Sequence, residues 1–163
     1  MKSLIALLLT FSINSFAQQK KLDIEKDLAY LVGKWKGELT YLDYSSGKPY
    51  TMPAEVFIDK IDNYNYLYQN IYPNEPKANS TDTLVISKDG ALFNKKSIKK
   101  IKRTKLAIEI ITEIKGTDGN DKKAALLRNT YFISSKKYTI IKDVQFEGTK
   151  NWIKRHEYSF TKN

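Results

Sequence analysis

Apolar and polar residues alternate with a period of two over most of this chain, and such alternation predicts β-strands. The pattern begins at Trp35, where one face carries Trp35, Leu39 and Tyr41. Further segments of this kind cover residues 50–61, 64–72, 83–87, 91–94, 104–115, 123–134, 137–147 and 150–161. Short stretches rich in glycine, proline, serine or asparagine separate many of them, which is typical of antiparallel strands joined by turns.

The segment before the first strand has a different period. In residues 22–33, Leu22, Leu28 and Leu31 lie among acidic and basic residues at a spacing that predicts a short helix ending near Gly33. We therefore predict an all-β fold, an antiparallel up-and-down β-barrel of about eight to ten strands with a short N-terminal helix. An immunoglobulin-like sandwich is the alternative, but its strands are shorter and its crossovers longer.

The first residues have the pattern of an export signal. Lys2 precedes an apolar run from Leu4 to Phe11, and Ser15-Phe16-Ala17 supplies the small residues of a cleavage site. Such a run is too short to span a bilayer, which takes about twenty residues. We expect a signal peptide over residues 1–17, a single barrel domain over 18–163, and a periplasmic or secreted protein. The chain has no cysteine, so disulfides do not stabilise it.

The chain is strongly basic, with 28 lysines and arginines, 18 acidic residues and a net charge of +10. A surplus of this size favours anionic cell-surface polymers or lipids as partners. Aromatic residues for base stacking do not accompany the densest basic stretch, so nucleic acid is not favoured and a solvated hairpin face is the simpler interpretation. That stretch consists of Lys95, Lys96, Lys99, Lys100, Lys102, Arg103 and Lys105.

The sequence Gly33-Lys34-Trp35 after a short helix, at the start of a series of strands, resembles the lipocalin and calycin group, including small exported bacterial proteins of unassigned function. The resemblance implies a barrel that binds a small hydrophobic or amphipathic ligand and needs no cofactor. It also implies that Trp35 plugs the closed end and that Arg155 lies across it. Alternation in the last strand places Arg155 opposite the more apolar face, so this pairing requires a β-bulge.

A lysine interrupts an apolar strand face. Lys142 lies on the face of Tyr138, Ile140 and Val144, where a buried ammonium group needs a carboxylate or an anionic ligand. Asp43 and Glu157 are the candidate carboxylates. The alternatives are a different register and a side chain that reaches the barrel rim.

Several tyrosines and one arginine are further candidate ligand contacts. Tyrosines on one strand face can line a cavity and offer hydroxyl groups, although they also pack across sheet surfaces. Arg128 is ambiguous, because apolar residues flank it on both faces of its strand. The candidate tyrosines are Tyr41, Tyr64, Tyr66 and Tyr68.

His156 is the only histidine, and late-strand histidines bind haem in nitrobindin-like barrels. Haem binding through His156 is therefore an alternative to an exposed or ion-paired imidazole. No nucleophile with a matching base and no metal-ligand cluster is evident, so an enzyme is not favoured. A second alternative is a ligand-free barrel that acts through its basic exterior.

Overall fold

The predicted barrel is present as one antiparallel sheet of ten strands. The computed structural model of the chain describes residues 21–43 and 45–162, so the predicted signal peptide lies outside the described residues. The strands are β1 Gly33–Leu42, β2 Pro49–Lys60, β3 Asn65–Ile71, β4 Ser80–Val85, β5 Leu92–Phe93, β6 Lys96–Arg103, β7 Ala107–Asp118, β8 Lys123–Ser134, β9 Lys137–Phe146 and β10 Ile153–Lys162. A single sheet excludes the two stacked layers of the sandwich alternative.

The strands follow one another around the barrel in chain order. Strand β1 pairs with β2 on one side and with β10 on the other, which joins the two ends of the meander. The sheet edges β4 and β5 meet through a bridge between Ile86 and Phe93, and the Asn94 amide donates to the Val85 carbonyl at 2.8 Å. These contacts nearly close the barrel.

Closure is incomplete beside the short strand β5. The ladder between β6 and β7 stops at Ser97 and Glu113, although β7 continues to Asp118. The first residues of β4, from Ser80 onward, likewise lie past the bridge between Ile86 and Phe93 and do not pair with β5. A lateral gap between β4 and β7 therefore leads into the interior above the turn that connects β5 and β6.

The N-terminal helix is shorter than the predicted 22–33. Helix α1 covers only Ile24–Asp27, with a 3₁₀ turn at Pro76–Ala78 elsewhere in the chain. Asp23 caps α1, since its carboxylate accepts from the Lys26 amide and its own amide donates to the Asp27 carboxylate. The apolar residues of the segment still point inward, as Leu28 and Leu31 are buried.

The interior has two chemically different ends. We call the end where β1 begins the apolar end. It contains Trp35, Ile58, Ile133, Tyr138 and Phe160, each at most 1% exposed. The other end, where β1 and β7 finish and β10 begins, we call the polar end. Its inward-facing side chains include Asp118, Asn129, Lys142, Arg155 and His156, and they form the candidate site.

Candidate functional site

An ion-paired cluster occupies the polar end of the interior. Asp118, the last residue of β7, receives Lys142 Nζ on one carboxylate oxygen at 2.6 Å and Arg155 Nε on the other at 2.9 Å. The side chains of Asp118 and Arg155 are only 10% and 7% exposed. Removing charges from water is costly, so this carboxylate stabilises both cations.

Strand register and a β-bulge bring these residues together. Lys142 lies directly opposite Asn129 on β8 and opposite His156 on β10. The register of β10 against β9 shifts between Lys154 and His156, so Arg155 is the extra residue of a bulge. This shift allows both Arg155 and His156 to contribute to the interior.

A third cation enters the cluster from β6. Lys96 Nζ donates to Asn129 Oδ1 at 2.8 Å, and the amide oxygen carries no charge. Burial, together with the neighbouring Lys142, lowers the pKa of Lys96. In the part of the chain that the structure describes, no carboxylate forms an ion pair with Lys96. The cluster therefore contains three cationic side chains and the single carboxylate of Asp118.

His156 faces this cluster as a neutral imidazole. Burial lowers the pKa of His156 to about 4, and the positive charges of Lys142 and Lys96 act in the same direction. Its ring meets the Tyr158 ring edge to face, with 5.3 Å between the centroids. At neutral pH the histidine contributes hydrogen-bonding nitrogen atoms and no charge.

A cavity of about 390 Å³ lies between the polar cluster and the apolar end, beside β4 and the turn from β5 to β6. Its inner wall consists of aromatic and aliphatic side chains, namely Tyr68, Leu84, Tyr131, Tyr138, Ile140 and Tyr158. Polar residues surround its opening, namely Asn70, Asp82, Thr83, Asn94 and Lys95. Polar groups therefore make up a large share of the lining, beside a smaller aliphatic part from Leu84 and Ile140.

Several hydroxyl groups lie next to one another in this region. The buried Tyr138 hydroxyl and Thr112 Oγ1 lie beside the hydroxyls of Tyr68 and Tyr131, respectively, although neither pair forms a well-aligned hydrogen bond. Tyr158 and Tyr72 share a hydrogen bond of 2.7 Å between their hydroxyl oxygens. Because a hydroxyl group has one proton and two lone pairs, these groups can form further hydrogen bonds with a molecule in the interior.

Two larger spaces lie at the two ends of the barrel. A groove of about 450 Å³ runs between α1 and the turn from β6 to β7, and it is lined in part by Asp27 and Arg103. A space of about 590 Å³ lies around the turn from β7 to β8 and is lined in part by Asp118 of the polar cluster. Neither contacts the inward-facing tyrosines, so the smaller cavity is the better candidate site.

Three of the predicted ligand contacts do not face the interior. Arg128 is on the outer face, where its Nε lies 2.9 Å from Glu113 Oε1 and its guanidinium group lies 3.7 Å from the centre of the Trp152 ring. Glu157 pairs with Lys154 at 2.8 Å. Asp43 accepts hydrogen bonds from Ser45 and Ser46 in a turn, and these bonds lower its pKa. Asp118, rather than Asp43 or Glu157, is the partner of Lys142.

The predicted tyrosines occupy different levels of the barrel. Tyr68 lines the cavity, whereas Tyr66 is 3% exposed and belongs to the apolar core. Tyr64 precedes β3, and its carbonyl accepts from the Ile86 amide. Tyr41 lies opposite His156 at the polar end and packs on Tyr50, with 5.6 Å between ring centroids. Only Tyr68 and Tyr41 are therefore near the cavity or the polar cluster.

Trp35 fills the apolar end, but Arg155 does not cover it. Trp35 lies opposite Lys162 in the pairing of β1 with β10, whereas Tyr41 lies opposite His156. Arg155 is therefore about six residues away along the barrel wall, or roughly 20 Å. The cation near the indole is Lys162, whose Nζ lies 4.8 Å from the ring centre. The predicted contact between Arg155 and Trp35 is therefore wrong.

The basic stretch is also not wholly a solvated face. Lys96 faces inward, and Arg103 pairs with Asp27 at 2.7 Å, which ties β6 to α1. The sequence pattern predicted neither role. It also placed Asp118 in the glycine-rich stretch between the predicted strands 104–115 and 123–134, which was interpreted as a turn. The available signal for Lys96 was the spacing of Ile98 and Ile101, which cannot share one strand face unless a bulge intervenes. The structure places a register shift between Ile98 and Lys100.

Comparison with known proteins supports the fold. The crystal structure of Rv2717c from M. tuberculosis matches 88% of this chain and 99% of its own, with a TM-score of 0.59 and 12% sequence identity. At that identity the similarity extends to the barrel architecture alone. No family model and no curated protein matches the chain. Among the residues described, no helix has the length and hydropathy of a membrane span, and no three potential metal ligands cluster together.

Proposed function

We propose that this chain is an exported barrel that binds a small amphipathic molecule in its interior cavity. The observation that carries the proposal is the 390 Å³ cavity, which reaches inward-facing tyrosines and borders β4 and the turn from β5 to β6. Its volume falls within the range of about 300–1,000 Å³ that is usual for ligand pockets. Export rests on the predicted signal peptide.

The wall supports an amphipathic ligand over a purely apolar one. Leu84 and Ile140 supply aliphatic surface, while Tyr68, Tyr131 and Tyr158 bring hydroxyl groups to the same space. Burial raises the pKa of each of these tyrosines, so they remain protonated and act as neutral donors or acceptors. An apolar tail gains from leaving water, and a polar group on the ligand finds partners.

Haem is the second candidate ligand, because His156 faces the interior and keeps a neutral imidazole at neutral pH. The fit is poor, since His156 does not line the cavity and the Tyr158 ring packs against it. Hemin therefore serves as a comparison ligand. Binding through the histidine predicts a Soret shift that Ile140→Trp leaves unchanged and His156→Ala abolishes.

Two adjacent residues on opposite faces of β9 test the proposal. Ile140 lines the cavity and is 9% exposed, whereas Ile141 lies on the outer face opposite Glu157. We expect the wild-type protein to bind 1-decanol in isothermal titration calorimetry. The affinity of Ile140→Trp for decanol should be at least about tenfold lower, because the indole fills the cavity. Ile141→Trp should bind decanol as the wild type does.

Thermal unfolding of both variants establishes that each is folded before titration. Equal binding by the two tryptophan variants would place the ligand outside the cavity and overturn the proposal. Absence of binding by the wild type to both decanol and decanoate would also overturn it.

A further inference from the structure

The polar cluster lies one step beyond the cavity on three neighbouring strands. On β8, β9 and β10, the cavity residues Tyr131, Ile140 and Tyr158 each lie two positions from a residue of the cluster on the same strand. Two residues along a strand correspond to about 6.6 Å on the same face. These cluster residues are Asn129, Lys142 and His156.

Among the described residues, this layer carries more positive than negative side chains. Asp118 contacts both Lys142 and Arg155, so its single negative charge is shared between two cations. Lys96 adds a further positive charge and donates to the neutral amide oxygen of Asn129. Holding a partly buried ammonium group next to other cations is unfavourable, and an anion placed among them reverses that cost.

Hydrogen-bond donors are available around the same point. The Tyr72 and Tyr158 hydroxyls are joined by one hydrogen bond of 2.7 Å, and only one of the two protons is used in it. Lys96 and Lys142 each have three ammonium protons and one hydrogen-bond partner among the described residues. Donors of this kind form short, charge-assisted hydrogen bonds with carboxylate or phosphate oxygens.

We propose that the layer formed by Lys96, Lys142 and His156 is a binding site for the anionic headgroup of a single-chain amphiphile whose tail lies in the tyrosine-lined cavity. This inference rests on the proposed function and specifies its ligand class. The headgroup chemistry is a carboxylate or a phosphate monoester. The neutral His156 adds a hydrogen bond without adding charge.

Ligands with identical tails and different headgroups measure how much the headgroup contributes to the affinity. In calorimetric titrations of the wild-type chain, we expect decanoate to bind about tenfold more tightly than 1-decanol, because a charge-assisted hydrogen bond contributes more than a neutral one. Decyl phosphate distinguishes the two sources of charge. Tighter binding of decyl phosphate than of decanoate assigns the site to phosphate monoesters, and the reverse order assigns it to carboxylates.

Two lysines on β6 provide a matched pair of variants. Lys96 faces the cluster, whereas Lys99 is exposed at the bulge, and replacing either with methionine changes the net charge equally. We expect Lys96→Met to weaken decanoate binding about tenfold and to leave decanol binding unchanged. We expect Lys99→Met to change neither. Unchanged decanol binding also demonstrates that the variant barrel is folded.

The outcomes distinguish this inference from the proposed function. Equal affinities of the wild type for decanol and decanoate would overturn the anion site and leave the cavity proposal intact. An equal loss of decanoate binding in Lys96→Met and Lys99→Met would assign the effect to overall charge and overturn the site as well. If Lys96→Met fails to fold, Lys96→Gln, which keeps a polar group beside Asn129, makes the same comparison.

Discussion

At the apolar end of the barrel, Trp35, Tyr138 and Phe160 fill the interior with ring contacts at centroid distances of 5.7 and 6.0 Å. At the polar end, the same sheet encloses Asp118, Lys142 and other charged groups whose partners come from distant parts of the chain. Packed aromatic rings stabilise the fold without any partner outside the protein. An excess of buried positive charge, by contrast, is unfavourable unless an anion compensates it. The comparison indicates that the apolar end stabilises the fold and that the polar end is where function is expected.

The largest expected effect tests the apolar end. Trp35→Ala removes a fully buried side chain whose Nε1 donates to the Leu31 carbonyl at 2.9 Å, and we expect the free energy of unfolding to fall by about 3–5 kcal/mol. Urea unfolding measures this. Trp152→Ala, which removes the other tryptophan from the outer face, is the control and should cost about 1 kcal/mol. Similar losses in the two variants would contradict the assignment of Trp35 as the plug.

An intermediate effect tests the ion pairs of the polar end. Asp118→Asn leaves Lys142 and Arg155 without their carboxylate, and we expect a loss of about 3 kcal/mol in the free energy of unfolding. The control is Asp121→Asn in the turn that follows, where the carboxylate is 75% exposed and a change within about 0.5 kcal/mol is expected. A loss no larger than that of the control would mean that solvent already screens the cluster.

The smallest effect depends on pH. Folded His156 has a pKa of about 4, against 6.5 for an unperturbed histidine, so between these values the unfolded chain binds a proton that the folded chain does not. Stability must then decrease as the pH falls through this window, by about 2 kcal/mol from about pH 7 to about pH 5. Burial is the main cause of this lowered pKa, and the positive charges of Lys142, Lys96 and Arg155 add to it while the negative charge of Asp118 opposes it.

Urea unfolding of wild type and His156→Gln at the two pH values checks this prediction. The variant should lose about 2 kcal/mol less than the wild type on acidification, since it lacks the titrating group. An identical pH dependence in the two proteins would show that the imidazole is already solvated or charged in the folded state.

The sequence predicted most of the architecture because it depends on local pattern. Period-two alternation, turn residues and strand length indicated the meander, and the predicted strand over residues 123–134 has the bounds of β8. The site was harder to predict. Lys142 was singled out from the face it interrupts, but its partner Asp118 lies 24 residues away and was assigned to a turn. Glycines on both sides of Asp118 favoured that interpretation, although β7 in fact extends to Asp118.

What the sequence by itself determined is the all-β meander and the short helix before it, since periodicity and turn chemistry act between near neighbours. The tryptophan that fills one end was implied by the resemblance to the lipocalin group. The tertiary structure alone decided which charged groups face the interior. The register shift in β6 lets both Ile98 and Ile101 face inward, so Lys96, two residues before Ile98, also lies inside the barrel. The shift in β10 places Arg155 inside together with His156. A bulge depends on how two strands pair, so alternation within either strand does not specify it.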